Sequence, residues 1–134
     1  MTKAAMTAEN LAKKKVGDRV LIIRSPWVDL ILKGKKTWEL RSSPTKIRGT
    51  IQLAEAGKIQ IVGRCELIDC RYVSKRELQR TKEKHQVPNV LLRVPYPRVY
   101  AWVFRKAVRY KRPKRYNHPN GAIIWVNANQ ARQR

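Results

Sequence analysis

The segment from Val99 to Tyr110 constrains the fold more than any other part of the chain. Large apolar and aromatic side chains alternate there with smaller or charged ones, which is the pattern of a β-strand with one face toward a core. The side chains expected on the apolar face are Tyr100, Trp102, Phe104, Val108 and Tyr110. We therefore predict a long strand at this place in the sequence.

Shorter apolar runs, separated by turn-forming residues, predict the remaining strands. They cover Val20–Ile23, Thr37–Arg41, Gly49–Ala54, Ile59–Tyr72 and Ala122–Val126. Gly63, inside the fourth of these runs, is expected to mark a β-bulge. A chain of 134 residues is long enough for one compact domain and too short for two good cores. We predict an α+β fold, a small mixed β-barrel of five to six strands with two short helices. The domain should span residues 18–128, between a basic flexible arm (1–17) and a basic polar tail (129–134).

Two segments carry the signals of helix ends. Ser25-Pro26 offers an N-cap followed by proline at the first helical position, and Gly34 offers a left-handed stop. Ser74 and Glu77 form a capping box that should open a second helix, from Lys75 to about Lys84.

The charge is strongly positive, with 31 Lys and Arg residues against 9 Asp and Glu residues, a net charge of +22. Residues 1–70 hold 14 basic and 7 acidic residues, net +7, while residues 71–134 hold 17 and 2, net +15. So large an excess repels itself unless a polyanion offsets it, and nucleic acid gains affinity from each phosphate that Lys or Arg neutralises. An anionic membrane surface is the weaker alternative, because no stretch is long enough to span a bilayer and the basic segments do not form one amphipathic helix.

The basic charge is concentrated in the segment from Arg105 to Tyr116, which has seven cations and no acid. The cations predicted to contact a nucleic-acid backbone are Arg105, Lys106, Arg109, Lys111, Arg112, Lys114 and Arg115. Tyr110 and Tyr116 stand among them and could stack on unpaired bases. The alternative is that both tyrosines belong to the barrel wall and that the charges only keep the protein soluble.

The octapeptide Gly34–Arg41 combines polar and apolar residues in a regular order. In a strand, Trp38 and Leu40 would point to the core, while Thr37, Glu39 and Arg41 would line an exposed or cleft-like surface. Lys36 would sit at the mouth of that surface. Two cations beside one carboxylate can hold an anionic ligand, such as a nucleotide or a phosphate. From the spacing alone, an amphipathic strand with a Glu–Arg pair and a solvated lysine explains the pattern equally.

This octapeptide fits G-x-K-x-x-E-x-R and resembles the signature of ASCH domains, which are PUA-like β-barrels. Ser25-Pro26-Trp27 is similar to the P-W opening of many ASCH domains, and Tyr116–Val126 is similar to their last hairpin. The resemblance covers about residues 19–128. It implies a module that binds RNA or associates with coactivators. The basic arm and tail suit a partner such as ribosomal RNA, another structured RNA or a ribonucleoprotein.

The resemblance also leaves an RNA-directed hydrolase open. One branch of the family hydrolyses N4-acetylcytidine and resembles G-x-K-x-x-T-x-R, in which the lysine activates a threonine. Here Lys36 matches the lysine, but Glu39 stands at the position of the threonine. We therefore assign no catalytic residue and keep Lys36 and Glu39 as candidates. A ribonuclease is the more plausible enzyme, and it would need a general acid–base near neutrality. His85 and His118 titrate in that range, but both are expected to be surface or hairpin-capping residues.

Cys65 and Cys70 do not suffice for a disulfide framework or a zinc site, and the sequence predicts no metal and no cofactor. Five residues apart in one strand, they should lie on opposite faces and stay unpaired. Free thiols favour an intracellular location, with the cytoplasm as the first expectation and the nucleus or an organelle as alternatives.

Overall fold

The computed structural model describes residues 19–88, 98–116 and 124–126. His118, the Asn-Gly turn, the basic arm and the polar tail lie outside the described residues. The strands are β1 (Val20–Ile23), β2 (Trp38–Arg41), β3 (Gly49–Glu55), β4 (Gln60–Val73), β5 (Val99–Arg115) and β6 (Trp125–Val126). The helices are α1 (Trp27–Leu32), α2 (Lys75–Arg80) and α3 (Lys82–His85).

The six strands form one mixed sheet in the order β2-β5-β4-β3-β1-β6. Only β1 and β3 run parallel, and the other neighbours are antiparallel. The predicted α+β class with six strands is confirmed. Within the described ranges, the sheet is curled but hydrogen bonds between its edge strands do not close it. The curl brings the edge strand β2 close to β1, the second strand from the other edge: the Arg41 guanidinium of β2 donates to the carbonyl of Ile22 in β1 at 3.0 Å.

The two helix signals had different outcomes. Ser74 caps α2 as predicted, with its Oγ accepting from the Glu77 N–H at 3.1 Å, but α2 ends at Arg80 and α3 follows. The chain therefore has three short helices in its described part rather than two. The Thr81 hydroxyl donates to the Glu77 carbonyl at 2.8 Å, the side-chain bonding to the preceding turn that weakens a helix at Ser or Thr.

The predicted capping of α1 by Ser25 is wrong. Pro26 occupies the N-cap position itself, after a cis peptide bond, and no side chain caps the helix. The predicted stop is confirmed, because Gly34 has a φ of +79° directly after the helix.

Gly63 marks an irregularity in the pairing of β4 with β5, as predicted. Ile61 pairs with Lys114 and Gly63 pairs with Arg109, so one residue of β4 lies opposite four residues of β5. A Cβ at Gly63 would come within 2.5 Å of the Val108 carbonyl oxygen, so only glycine fits. The residues of β5 that have no direct partner at this irregularity include the basic Lys111 and Arg112.

Hydrophobic side chains fill both sides of the sheet. The main cluster lies between α1 and the sheet, and a second cluster lies near β6. The third cluster lies against α2 and contains Trp38, Val73, Leu78 and Ala101, with Leu40 packed against it. Trp38 and Leu40 therefore do point inward as expected, but the opposite face of β2, which carries Glu39, is buried as well.

The expectation that Cys65 and Cys70 lie on opposite faces is wrong. Cys65 is part of the main cluster and Cys70 packs against the same cluster. A register shift between Leu67 and Asp69 changes the alternation between them, because an irregularity changes the face of every later residue. Both thiols are free, and burial raises the pKa of Cys65 to about 12, which makes it unreactive.

Candidate nucleic-acid interface

Lys36 is placed by backbone hydrogen bonds on both sides of it. After the turn at Gly34, its N–H donates to the Leu30 carbonyl of α1 at 3.0 Å. The next N–H, that of Thr37, donates to the Lys84 carbonyl of α3 at 2.9 Å, and the Thr37 carbonyl accepts from Phe104 in β5. The Lys36 side chain therefore lies between α1 and α3, and the residue is only 2% exposed. The sequence suggested that Lys36 lies at the mouth of the polar surface or is solvated, and both expectations are wrong.

The Lys36 ammonium has protein partners on several sides. It donates to the His85 carbonyl at 2.5 Å, and it lies 3.7 Å from a Glu39 carboxylate oxygen and 5.1 Å from the centre of the Trp27 ring. Burial lowers its pKa from 10.5 to about 8, while the neighbouring Glu39 carboxylate acts in the opposite direction and Arg41 adds to the lowering. At neutral pH the group is still mainly protonated, which agrees with its role as a donor.

Glu39 joins the two cations of the signature. Its other carboxylate oxygen lies 3.0 Å from the Arg41 guanidinium, and the side chain is nearly buried. Arg41 reaches over the Trp102 ring at 5.5 Å and uses Nη2 for both Glu39 and the Ile22 carbonyl. Its Nε is buried without a hydrogen-bond partner in the described part of the chain. Of the signature residues Lys36, Glu39 and Arg41, it is Arg41 that reaches solvent, with a fifth of its side chain exposed.

His85 is a buried structural residue, not the surface residue that the sequence suggested. Its Nδ1 accepts from the Val87 N–H at 2.9 Å, and its Nε2 lies 2.7 Å from the Leu78 carbonyl. Because a carbonyl requires a donor, these contacts select the neutral form with the proton on Nε2. Desolvation by burial is the largest cause that lowers the pKa of His85. Both nitrogens are used, so His85 positions α3 and holds Lys36 through its carbonyl rather than transferring protons.

The basic strand, defined as Arg105–Arg115 of β5, is exposed along most of its length. Its first half contacts acids: Arg105 lies 2.6 Å and Lys106 3.8 Å from Glu66, and Arg109 lies 2.6 Å from Asp29. The bond from Arg105 lowers the pKa of Glu66. The second half differs, since four exposed cations make no ion pair with any described residue. They are Lys111, Arg112, Lys114 and Arg115.

The two tyrosines of this strand differ from what base stacking requires. Tyr116 is buried in the second cluster, which agrees with the barrel-wall alternative. Tyr110 packs partly against the same cluster and donates its hydroxyl to the Gln52 side-chain oxygen at 2.8 Å. Lys114 lies 5.1 Å from the centre of the Tyr110 ring. Tyr116 therefore does not present its ring to solvent, and Tyr110 does so only in part.

Sequence reasoning missed a more exposed aromatic pair. Tyr72 of β4 lies directly opposite Tyr100 of β5, with ring centres 6.0 Å apart in an edge-to-face arrangement. The alternation of β5 identified Tyr100 as a strand residue. Its partner Tyr72 could not be predicted, because the register between β4 and β5 shifts twice between Gly63 and Tyr72.

The comparisons with known proteins agree with this fold. The model of the ASCH domain family matches residues 21–133, and the chain therefore belongs to the ASCH domain family, whose fold is of the PUA-like, RNA-binding type. No curated protein matches the chain. Neither a group of three or more potential metal ligands nor a helix long and apolar enough to cross a membrane occurs among the described residues.

Solved structures from Zymomonas mobilis share the fold. The crystal structure of ASCH from that organism has a TM-score of 0.63 at 16% identity, covering 74% of this chain and 73% of that chain. A mutant of the same protein, in which a tyrosine is replaced by phenylalanine, has a TM-score of 0.64 at 18% identity, covering 74% and 76%. Another mutant, in which a serine is replaced by alanine, has a TM-score of 0.60 at 16% identity, covering 75% of each chain. At these identities the likeness concerns the fold.

Proposed function

We propose that this protein binds structured RNA, free or within a ribonucleoprotein such as the ribosome, through the basic strand and Arg41. The observation that carries the proposal is the second half of the basic strand, where Lys111, Arg112, Lys114 and Arg115 face solvent without acidic partners among the described residues. Unpaired cations release the counterions of a polyanion without first breaking an ion pair, so each adds to affinity. Arg105, Lys106 and Arg109 extend the same surface and would exchange their carboxylates for phosphates.

The motif contributes less to ligand binding than its sequence suggested. Lys36 and Glu39 form an ion pair, and Lys36 also donates to the His85 carbonyl, which connects β2 to α3. We therefore assign both residues a structural role. Arg41 keeps the ligand-binding role, because its Nη1 takes no part in the contacts to Glu39 and Ile22. A planar guanidinium held from one side offers its free edge to a phosphate in a fixed orientation.

The proposal is tested by removing charge from the basic strand. Neutralising Lys111, Arg112 and Lys114 to glutamine should weaken RNA binding and lower the slope of log K against log salt by about 2, at about 0.7 per phosphate contact of a single strand. Binding is measured by fluorescence anisotropy at several salt concentrations. The matched control neutralises three exposed cations of α2, Lys75, Arg76 and Arg80. Equal losses in both triple variants would contradict a localised basic face.

A second candidate function is an RNA-directed hydrolase, either a ribonuclease or a modified-nucleoside amidohydrolase. One observation favours it: the pKa of Lys36 is lowered to about 8, beside the Glu39 carboxylate. Incubation with RNA and with N4-acetylcytidine, followed by product analysis, tests it directly. Turnover that disappears in Lys36→Ala while RNA affinity is kept would establish the enzyme. The third alternative, a protein-interaction module, predicts a partner whose capture survives nuclease treatment.

A further inference from the structure

Three side chains from three strands stand in one row beside the motif. Tyr100 in β5 pairs directly with Arg41 in β2 and with Tyr72 in β4. Residues that pair directly on neighbouring strands point to the same face of a sheet, so Arg41, Tyr100 and Tyr72 lie side by side. We call this row the aromatic platform. Two strand spacings, about 10 Å, separate Arg41 from Tyr72, which a short stretch of single-stranded RNA can bridge.

Tyr72 is the most exposed large apolar or aromatic side chain in the described ranges, at 58%. Its edge-to-face contact with Tyr100 holds the ring in place, while Tyr100 itself packs against the main cluster. The ring is therefore supported from one side and open to water on the other. An aromatic ring that is fixed before binding loses little conformational entropy when a ligand stacks on it.

The charges near the aromatic platform fit a polyanion. Arg41 stands at one end with Nη1 outside its contacts to Glu39 and Ile22. Arg98, two residues before Tyr100, is exposed at the same end of β5. The nearest acid on β4, Asp69, is turned to its own backbone, accepting from the Cys70 N–H at 2.8 Å.

We propose that Tyr72, supported by Tyr100, stacks on an unpaired base of the RNA while Arg41 binds the phosphate next to that base. The inference rests on the proposed RNA binding and adds the kind of RNA element that is recognised. Base stacking on an aromatic ring is available to a base in a loop, bulge or single strand and not to a base inside a duplex. The protein therefore selects structured RNA with an unpaired nucleotide. The basic strand supplies affinity for the backbone.

The test compares a single-stranded RNA with a blunt-ended duplex of the same length, formed from two complementary strands and therefore without an unpaired base. Tyr72→Ala should weaken binding of the single strand by about fivefold or more, from the roughly 1–3 kcal/mol of one base stack. Affinity for the duplex should change less than about twofold, and the salt slope should stay the same because no charge is removed. Tyr72→Trp and Tyr72→Phe should keep the affinity. The matched control is Ile68→Ala, an exposed apolar residue of the same strand.

A 2-aminopurine base placed in the single strand gives a second readout. Its fluorescence should be quenched by the wild type and recover in Tyr72→Ala, since stacking on the ring causes the quenching. If Tyr72→Ala binds the single strand as tightly as Ile68→Ala does, the aromatic platform is overturned while the RNA-binding proposal stands. If the wild type binds neither RNA, both fall. A protein partner lost in Tyr72→Ala, with RNA affinity unchanged, would likewise overturn the stacking role.

Discussion

Replacing Lys36 by methionine should change how the free energy of unfolding depends on pH. Methionine has a similar length and fills the same buried space without a charge. In the wild type, burial lowers the pKa of Lys36 to about 8 against 10.5 for the exposed group, although Glu39 acts against the shift. Between these two values the unfolded chain holds a proton that the folded chain has released. The stability of the wild type therefore rises with pH across this window.

The magnitude follows from the size of the shift. At about 1.4 kcal/mol per pKa unit, the full window corresponds to about 3 kcal/mol. From about pH 7 to about pH 9.5, the wild type should gain about 2 kcal/mol relative to Lys36→Met. Lys36 is almost fully buried, so solvent screening does not reduce this value much.

Urea denaturation of both proteins, followed by circular dichroism at several pH values, measures the difference. Cys65 acts in the opposite direction above about pH 9, because burial raises its pKa to about 12 and its stabilising effect is lost as pH rises. That contribution is present in both proteins and cancels in the difference. Equal pH slopes for the wild type and Lys36→Met would refute the buried, desolvated ammonium.

Three further predictions concern the scaffold around the site. Gly63→Ala should lose about 1–3 kcal/mol in thermal unfolding, because its Cβ would meet the Val108 carbonyl at 2.5 Å. Gly57→Ala meets no atom within 4 Å and should lose only about 1 kcal/mol for its positive φ. Ser74→Ala should lose about 1 kcal/mol with its N-cap bond, and Ser74→Asp should retain most of it. Nitrogen NMR should show that His85 is neutral at pH values just below 6.5, because burial lowers its pKa. The free energy of unfolding should decrease as the pH falls below 6.5, since the unfolded chain then takes up a proton that the folded chain does not. A protonated ring at these pH values would contradict the assigned tautomer.

Local signals were sufficient for several parts of the fold. The capping box at Ser74, the left-handed turn at Gly34 and the irregularity at Gly63 depend on the chemistry of a few neighbouring residues, and the structure confirms each of them. The split of the second helix at Thr81 was not predicted, because helix propensities alone favour a continuous helix there. In the structure, the Thr81 hydroxyl bonds to the preceding turn, which weakens the helix at this residue.

The candidate site was less accessible to sequence reasoning. Glu39 looked like a cleft residue because alternation places it away from Trp38, and Lys36 looked like one because it follows the turn at Gly34. Both side chains are nevertheless buried, since both faces of β2 are covered in the fold. His85 looked like a surface residue because it follows a charged helix, yet its two ring nitrogens and its carbonyl are all used inside the protein. No local pattern reports such long-range contacts.

By itself, the sequence determined the class of fold, the family and the excess of positive charge, because these depend on composition, periodicity and short motifs. Only the tertiary structure decided which charges are available to a ligand. Arg41 and Lys36 belong to one octapeptide, but the packing of α1 and α3 buries one cation and leaves part of the other exposed. Tyr72 and Arg41 are 31 positions apart and share a row only through the register of β5 with both neighbouring strands. Register is set by the sum of all cross-strand contacts, which no single segment contains.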